Sequence, residues 1–234
     1  MTLDGKVATA TRAPATFGSR EDRGRLVAFR AQADAILVGA HTAATDHYAM
    51  GIPNMVLRRE RIKRGKPPHP LRCIVTGRGN LAENLEIFRH DYSPVIIFTT
   101  DQMPTAKRKR LEKKARVILV GKKEIRWRKL MNILHRDFGV KKLLCEGGPT
   151  INFALLKNHL LDEIYLTLCP KIFGGRNAPT LVEGEGFPLH LARRARLVSV
   201  EQVGEELFTH WRIRNELHHG SQTPRGSRGL HSFH

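Results

Sequence analysis

The sequence predicts an α/β fold, a sheet flanked by helices, with an antiparallel hairpin at its C-terminal end. Three observations carry this. Short apolar runs alternate with helix-patterned segments through the first two thirds of the chain, as in strand–helix repeats. The last third changes to longer strand-like stretches at 164–172, 197–204 and 207–214. The chain has 234 residues, 41% of them hydrophobic and 26% charged, which is enough material of ordinary composition to bury a full core.

The elements follow in order. Residues 1–8 read as the end of a strand, and 9–18 as a loop carrying Pro14 and Gly18. Ser19, with Glu21 and Asp22 just behind it, is an N-cap signal for a helix reaching about Gln32. Residues 35–39 (AILVG) form a short buried strand, and 41–46 a turn or short helix. Residues 51–70 hold Gly51, Pro53, Gly65, Pro67, Pro68 and Pro70 among many basic side chains, which predicts a long surface connection. Strands follow at 71–76, 95–100, 117–120 and 142–146, separated by helices near 104–114, 126–138 and 149–158. The last two strands pair as a hairpin turning at Gly204-Glu205. From Asn215 the chain is polar and rich in Gly, Ser and His, the composition of a disordered tail. One domain over 1–214 with a tail over 215–234 is the expected organisation.

Forty Lys and Arg against 22 Asp and Glu leave a formal charge of +18, a field that attracts phosphates of any kind. Charge alone leaves nucleic acid and a phosphorylated metabolite both open. The basic runs at 57–66, 107–116 and 191–196 have no interleaved aromatics, which argues against a base-stacking surface and for solvated helix and loop faces. No apolar run reaches the roughly 20 residues of a membrane span, and no charged-then-apolar leader opens the chain. Cys73, Cys145 and Cys169 form no CxxC pair, and each sits in an apolar stretch. They read as buried thiols, and a cytoplasmic location is expected. The paired HxE and PCxxC of zinc deaminases are missing, and no metal site is expected.

Four segments carry chemistry. Gly77-Arg-Gly79-Asn-Leu-Ala82 follows a strand and fits the loose dinucleotide spacing, with Asp101 at the end of the next strand. The residues after Ala82 lack a helical pattern, however. What remains is a strand end offering the Thr76 hydroxyl, the Gly77 backbone and the Arg78 cation, a set that suits a 2′-phosphate. In Leu143-Leu-Cys-Glu-Gly-Gly-Pro-Thr150 a strand ends in Glu146, two glycines turn, and Pro149 opens a helix whose free amides suit a pyrophosphate. Asp4 and Lys6 form either a strand-end functional pair or a surface ion pair. Arg30, Thr42 and Asp46 flank the 35–39 strand and read either as ligands of a phosphate and cofactor or as caps and solvated residues.

The order MTLDGK, RAQADAILVGAHT, LLCEGGPTINFALL and LDEIYLTLCPKIFGGRNAPTL resembles the reductase domain of riboflavin biosynthesis. That domain is the C-terminal half of the bacterial bifunctional deaminase–reductase and a stand-alone reductase in archaea and fungi. The resemblance spans about 1–214 and is strongest at EGGPT and PKIFGG. It implies a dihydrofolate-reductase-like fold with a mostly parallel sheet, a homodimer, and NADPH across the strand ends. It implies hydride delivery to C1′ of a phosphoribosylamino-pyrimidine, which turns the ribose into a ribityl chain. It places Lys6 and Glu146 at the reacting ribose and pyrimidine, as catalytic and substrate-binding groups. Lys6 is the expected hydrogen-bonding cation near the developing amine, and Glu146 the reader of substrate hydroxyl or amino groups. Arg30 matches a substrate-phosphate ligand, and Thr42 and Asp46 match cofactor contacts. Thr76, Gly77 and Arg78 fall at the adenosine 2′-phosphate, and Gly148, Pro149, Thr150 and Ile151 at the pyrophosphate. Deaminated uracil and diaminopyrimidinone both remain open as the substrate base. Two alternatives stand beside this reading: a dihydrofolate reductase or other NADPH reductase of the same superfamily, and a basic nucleic-acid-binding protein.

Overall fold

A computed structural model of the chain describes residues 1–11, 17–44 and 49–214. Five strands, β1 (Ala35–Gly39), β2 (Leu71–Val75), β3 (Val95–Thr99), β4 (Arg116–Leu119) and β5 (Leu143–Cys145), form a parallel sheet in the order β4-β3-β2-β1-β5. The central strands are near-continuous apolar runs because helices cover both faces of the sheet. Alternate residues feed two cores. Leu37, Cys73 and Phe98 pack with Leu130, Leu134 and Leu155 on one face. Ile36, Val38, Ile74 and Ile97 pack with Met50 and Leu111 on the other.

The helices are α1 (Arg20–Gln32), α2 (Ala40–Ala43), α3 (Met55–Lys63), α4 (Thr105–Glu112), α5 (Trp127–Phe138) and α6 (Pro149–Lys157). The Ser19 side chain accepts from the Asp22 amide, so the N-cap read from the sequence forms. Ser19 Oγ and N also donate to the Glu206 carboxylate, at 2.6 and 2.9 Å, which anchors the start of α1 on the second sheet.

That second sheet is antiparallel, in the order β6-β8-β7, from β6 (Glu163–Leu168), β7 (Ala195–Val203) and β8 (Glu206–Ile213). Its hairpin turns at Gly204, whose φ of +60° a side chain would disfavour. The C-terminal strands therefore form a sheet of their own.

Three local expectations change. Residues 1–8 form isolated bridges, Thr2 to Cys169 and Lys6 to Thr180, because a tight turn through Gly5 (φ +77°) breaks any continuous pairing. β6 stops at Leu168, short of 172, where the Cys169 amide leaves the ladder for the Met1 carbonyl. The 51–70 connection contains α3, whose prolines and glycine flank a helix instead of interrupting one. Asn54 caps it by accepting from the Val56 and Leu57 amides. Arg61, part of an apparently solvated basic run, is 1% exposed. Its guanidinium closes the end of α1 through the Ala31 and Ala33 carbonyls, at 3.0 and 2.6 Å. The tail over 215–234, Pro14 and Asp46 lie outside the described residues.

Candidate active site

From β1 the chain builds outward through β2, β3 and β4, then returns to place β5 on the other side of β1. The strand order reverses between β1 and β5. In open α/β sheets, ligands bind in the crevice at the carboxyl ends of such a pair. Here the Glu146 amide donates to Leu37 O at 3.0 Å, and the Gly39 amide donates to Gly147 O at 2.9 Å. Glu146 therefore leaves its strand at the switch point.

Arg30, on the last turn of α1, meets it. Nε donates to Oε1 and Nη2 to Oε2, both at 2.7 Å, with side chains only 12% and 5% exposed. This is a two-bond fork of the strong, orienting kind. A buried ion pair is weak evidence for stability, since desolvation offsets much of the Coulomb gain. The fork holds the Glu146 carboxylate in one orientation at the switch point. Arg30 also donates through Nη1 to Gly51 O at 3.1 Å. Arg30 and Glu146 were assigned separate roles in the sequence reading. The fold joins them across 116 residues, for which no local pattern exists.

The corner after Glu146 has the strand–turn–helix form read from the sequence. Gly147 turns at φ +93°, Gly148 is the N-cap without any side-chain cap bond, and Pro149 takes the first helical turn of α6. A methyl group at Gly148 would lie 3.5 Å from Thr42 Oγ1, so α2 and α6 begin side by side. Thr150 is exposed. Ile151 is buried, its amide donates to Gly148 O at 2.9 Å, and its Cδ1 would touch any side chain at Gly39. It therefore supports the corner by packing.

Lys6 is tied to a strap over 178–183 through a bridge to Thr180. Its Nζ donates to Ala178 O at 3.2 Å. The strap returns to α6, where Asn152 Nδ2 donates to Leu181 O at 2.9 Å and the Glu183 amide to Pro149 O at 3.3 Å. Asn152 is a site-shaping residue the sequence reading missed. A single amide on the otherwise apolar INFALL turn was the available signal. Asp4 takes other partners than Lys6: the Thr2 hydroxyl and the amides of Phe173 and Gly174. The Thr2 hydrogen bond, with those amides, holds its carboxyl below the usual carboxylate range. Cys145, just before Glu146, is pushed up to about 11 by burial, so its thiol is neutral near pH 7.

The end of β2 is built differently. Thr76 is buried, and its Oγ1 accepts from the Gly79 amide at 3.1 Å. Gly77 O accepts from Thr100 Oγ1 at 2.7 Å. Gly79, at φ +74°, has Met103 so close that a Cβ would lie 2.8 Å from its Cε. No α-helix opens after Ala82, where only a single 3-10 turn (Glu86–Phe88) precedes β3, which removes the dinucleotide fingerprint. Arg78 stays exposed beside a cavity of about 520 Å³ whose lining includes Asn80, Pro104, Lys107 and Arg110. Lys107 and Arg110 share the Glu83 carboxylate, which they hold below its ordinary range, Arg110 first.

Among the described residues, no helix is long and apolar enough to cross a membrane. The model of the RibD C-terminal domain family matches residues 1–209, and the chain belongs to that family. It is 32% identical to the 2,5-diamino-6-ribosylamino-4(3H)-pyrimidinone 5′-phosphate reductase of Archaeoglobus fulgidus, over 87% of this chain and 90% of that protein. It is 36% identical to the Aquifex aeolicus protein of the same name, over 80% of each. Among solved structures, the pyrimidine reductase-like protein of Corynebacterium diphtheriae superposes with a TM-score of 0.78 at 21% identity, covering 92% of this chain and 89% of that one. RibD of Acinetobacter baumannii gives 0.74 at 19% identity, covering 91% of this chain, which spans 55% of that one. At those identities the structures show a shared fold.

Proposed function

We propose that this family member reduces 2,5-diamino-6-ribosylamino-4(3H)-pyrimidinone 5′-phosphate at C1′, converting its ribose to a ribityl chain with NADPH as reductant. One observation carries the reading: the forked Arg30–Glu146 pair stands at the β1/β5 switch point beside the uncapped start of α6. The names of the relatives favour the diaminopyrimidinone over the deaminated uracil.

The residues fit the cofactor. The α6 start offers backbone amides without a side-chain cap, which suits a pyrophosphate. Thr42 lies against Gly148 at the same corner. Arg78, Lys107 and Arg110 line the cavity beyond β2 and suit a 2′-phosphate. When bound, NADPH supplies the hydride equivalent.

The chain supplies orientation and protons. The Arg30 fork holds the Glu146 carboxylate in one orientation, and Glu146 is the acceptor assigned to substrate hydroxyl or amino hydrogens. Lys6 Nζ is the donor assigned to the nitrogen bearing the ribose, which takes up a proton as C1′ is reduced. Held in place before the reaction, both groups act without reorganisation in the transition state. The +18 charge favours capture of a phosphorylated substrate.

We assign the cytoplasm as compartment, on three cysteines that form no disulfide, and residues 1–214 as the reductase unit. We assign a homodimer formed across β7, every residue of which is exposed and which presents Leu197, Val198, Val200 and Val203. Absorbance at 340 nm, followed with the diaminopyrimidinone, the aminouracil and dihydrofolate side by side, tests the reading. Consumption with the diaminopyrimidinone supports it. Turnover of dihydrofolate alone, or of none of the three, overturns it.

A further inference from the structure

Glu146 is aimed by Arg30, and Arg30 is in turn held by a peptide carbonyl, that of Gly51. The segment 49–52 that presents this carbonyl is fixed from several sides. Ala49 O accepts from Tyr92 Oη at 2.5 Å. The Ile52 amide donates to His69 Nδ1 at 3.2 Å. Ile52 O accepts from Arg58 Nη1 at 3.0 Å. Between these ties Met50 is fully buried in the left-handed region, at φ +56°. A non-glycine residue holds that conformation only where its surroundings over-determine it. A Cβ at Gly51 would lie 2.5 Å from Tyr92 Oη, so the phenol also defines how closely the strap packs. The His69 ring stacks on Tyr92 with centroids 4.2 Å apart. Arg72, 1% exposed, lies over the same phenol ring and is anchored by the Ile87, His90 and Ser93 carbonyls.

We propose that His69 and Tyr92 are positioning residues for Glu146: they clamp the 49–52 strap so that the Gly51 carbonyl holds Arg30, and Arg30 holds the carboxylate. This rests on the function proposed above. None of the clamp's groups belongs to the motifs read from the sequence. His69 lies in the proline-rich connection, and Tyr92 in a loop before β3.

The clamp requires a neutral imidazole. An amide N–H donates, so Nδ1 must keep its lone pair and the ring proton must sit on Nε2. Protonating Nδ1 breaks the tie to Ile52. The charged and titratable groups facing the ring are Arg58 and Arg61 of α3, Arg72 of β2 and Tyr92. Burial first, and then those three cations, lower the His69 pKa. The folded form thus resists protonation. Stability is retained above the free-histidine value, declines as pH falls below it, and levels off below the folded value.

The test uses His69→Gln, His69→Leu and Tyr92→Phe in the full chain. Gln keeps an acceptor, Leu removes it, and Phe removes one hydroxyl while keeping the ring stack. Misplacement of a reacting group by about 1 Å costs about 100-fold in rate. His69→Leu is therefore expected to lower kcat by about 10- to 100-fold, with a smaller change in KM. His69→Gln should stay within about 3-fold of wild type, and Tyr92→Phe should fall between them. The contribution of His69 to the acidic limb of the wild-type kcat profile should be absent in His69→Gln. Imidazole ¹⁵N spectra of the unmodified protein should show Nδ1 as an acceptor without a proton, and the Ile52 amide should exchange faster in His69→Leu. Wild-type kcat in all three variants overturns the proposal, as does a protonated Nδ1 at neutral pH. If His69→Leu does not fold, His69→Gln and Tyr92→Phe decide. If the wild type turns over none of the pyrimidines, the functional reading fails, while the spectra and the Ile52 exchange rate still decide whether the clamp exists.

Discussion

Two glycine-bearing corners sit at the carboxyl ends of the two strands that flank β1, and they are built differently. After β5, Gly147 and Gly148 lead into Pro149 and a helix, beside a carboxylate already forked by an arginine. After β2, Gly77 and Gly79 lead into an irregular loop that Thr76 and Met103 hold in place. Glycine spacing alone does not separate the two. What separates them is the element that follows: only a helix start aligns several amides on one point. In the function proposed above, the β5 corner orients the reacting groups. The β2 corner is a braced loop that carries a cation, Arg78, to the rim of a cavity.

Substitutions should divide along that line. The largest effect is expected for Glu146→Gln, which keeps the shape and removes the charge. Its kcat/KM should fall by about 1,000-fold, as for loss of a preorganised polar group in a reacting site. A fall below tenfold would place Glu146 with the bracing residues. Next is Arg30→Met, which takes the fork away from a carboxylate 5% exposed. Breaking such a pair costs about 3–5 kcal/mol, measured as a lowered midpoint in urea, and kcat should fall with it. An unchanged midpoint would mean that Glu146 does not depend on the fork. At the β2 corner, Gly79→Ala forces a side chain onto positive φ and against Met103, at a cost of about 1–3 kcal/mol. Its kcat should stay near wild type, and a large loss of kcat would erase the contrast. The smallest effect is expected for Arg78→Ala. One charge-assisted bond from an exposed side chain, at the low end of its range, about 1.5 kcal/mol, corresponds to a KM for NADPH raised about tenfold, with the KM for NADH unchanged. Equal effects on the two cofactors would move the 2′-phosphate elsewhere.

The β5 corner was legible because each of its parts has a local cause. A strand ends in a charged residue, glycine supplies the turn, and proline suits a first helical turn. Asn152 was less legible, since one amide in an apolar helix carries no spacing signal. α3 was read as loop because prolines and glycines crowd 51–70, and composition does not reveal that they flank a helix. The basic run at 57–66 reads as a solvated face, yet Arg61 within it is enclosed by peptide carbonyls, as is Arg72 in β2, at helix and loop ends that only the folded chain brings near them.

The sequence by itself determined the strand–helix alternation, the Ser19 cap, the Pro149 helix start and the turn at Gly204, because each depends on residues within a few positions of one another. Only the tertiary structure decided that β5 lies beyond β1, that the last three strands form their own sheet, and that Arg30 reaches Glu146. Those outcomes depend on which apolar faces cover one another and on where the chain must cross to cover them, and a contact across 116 residues leaves no trace in local periodicity.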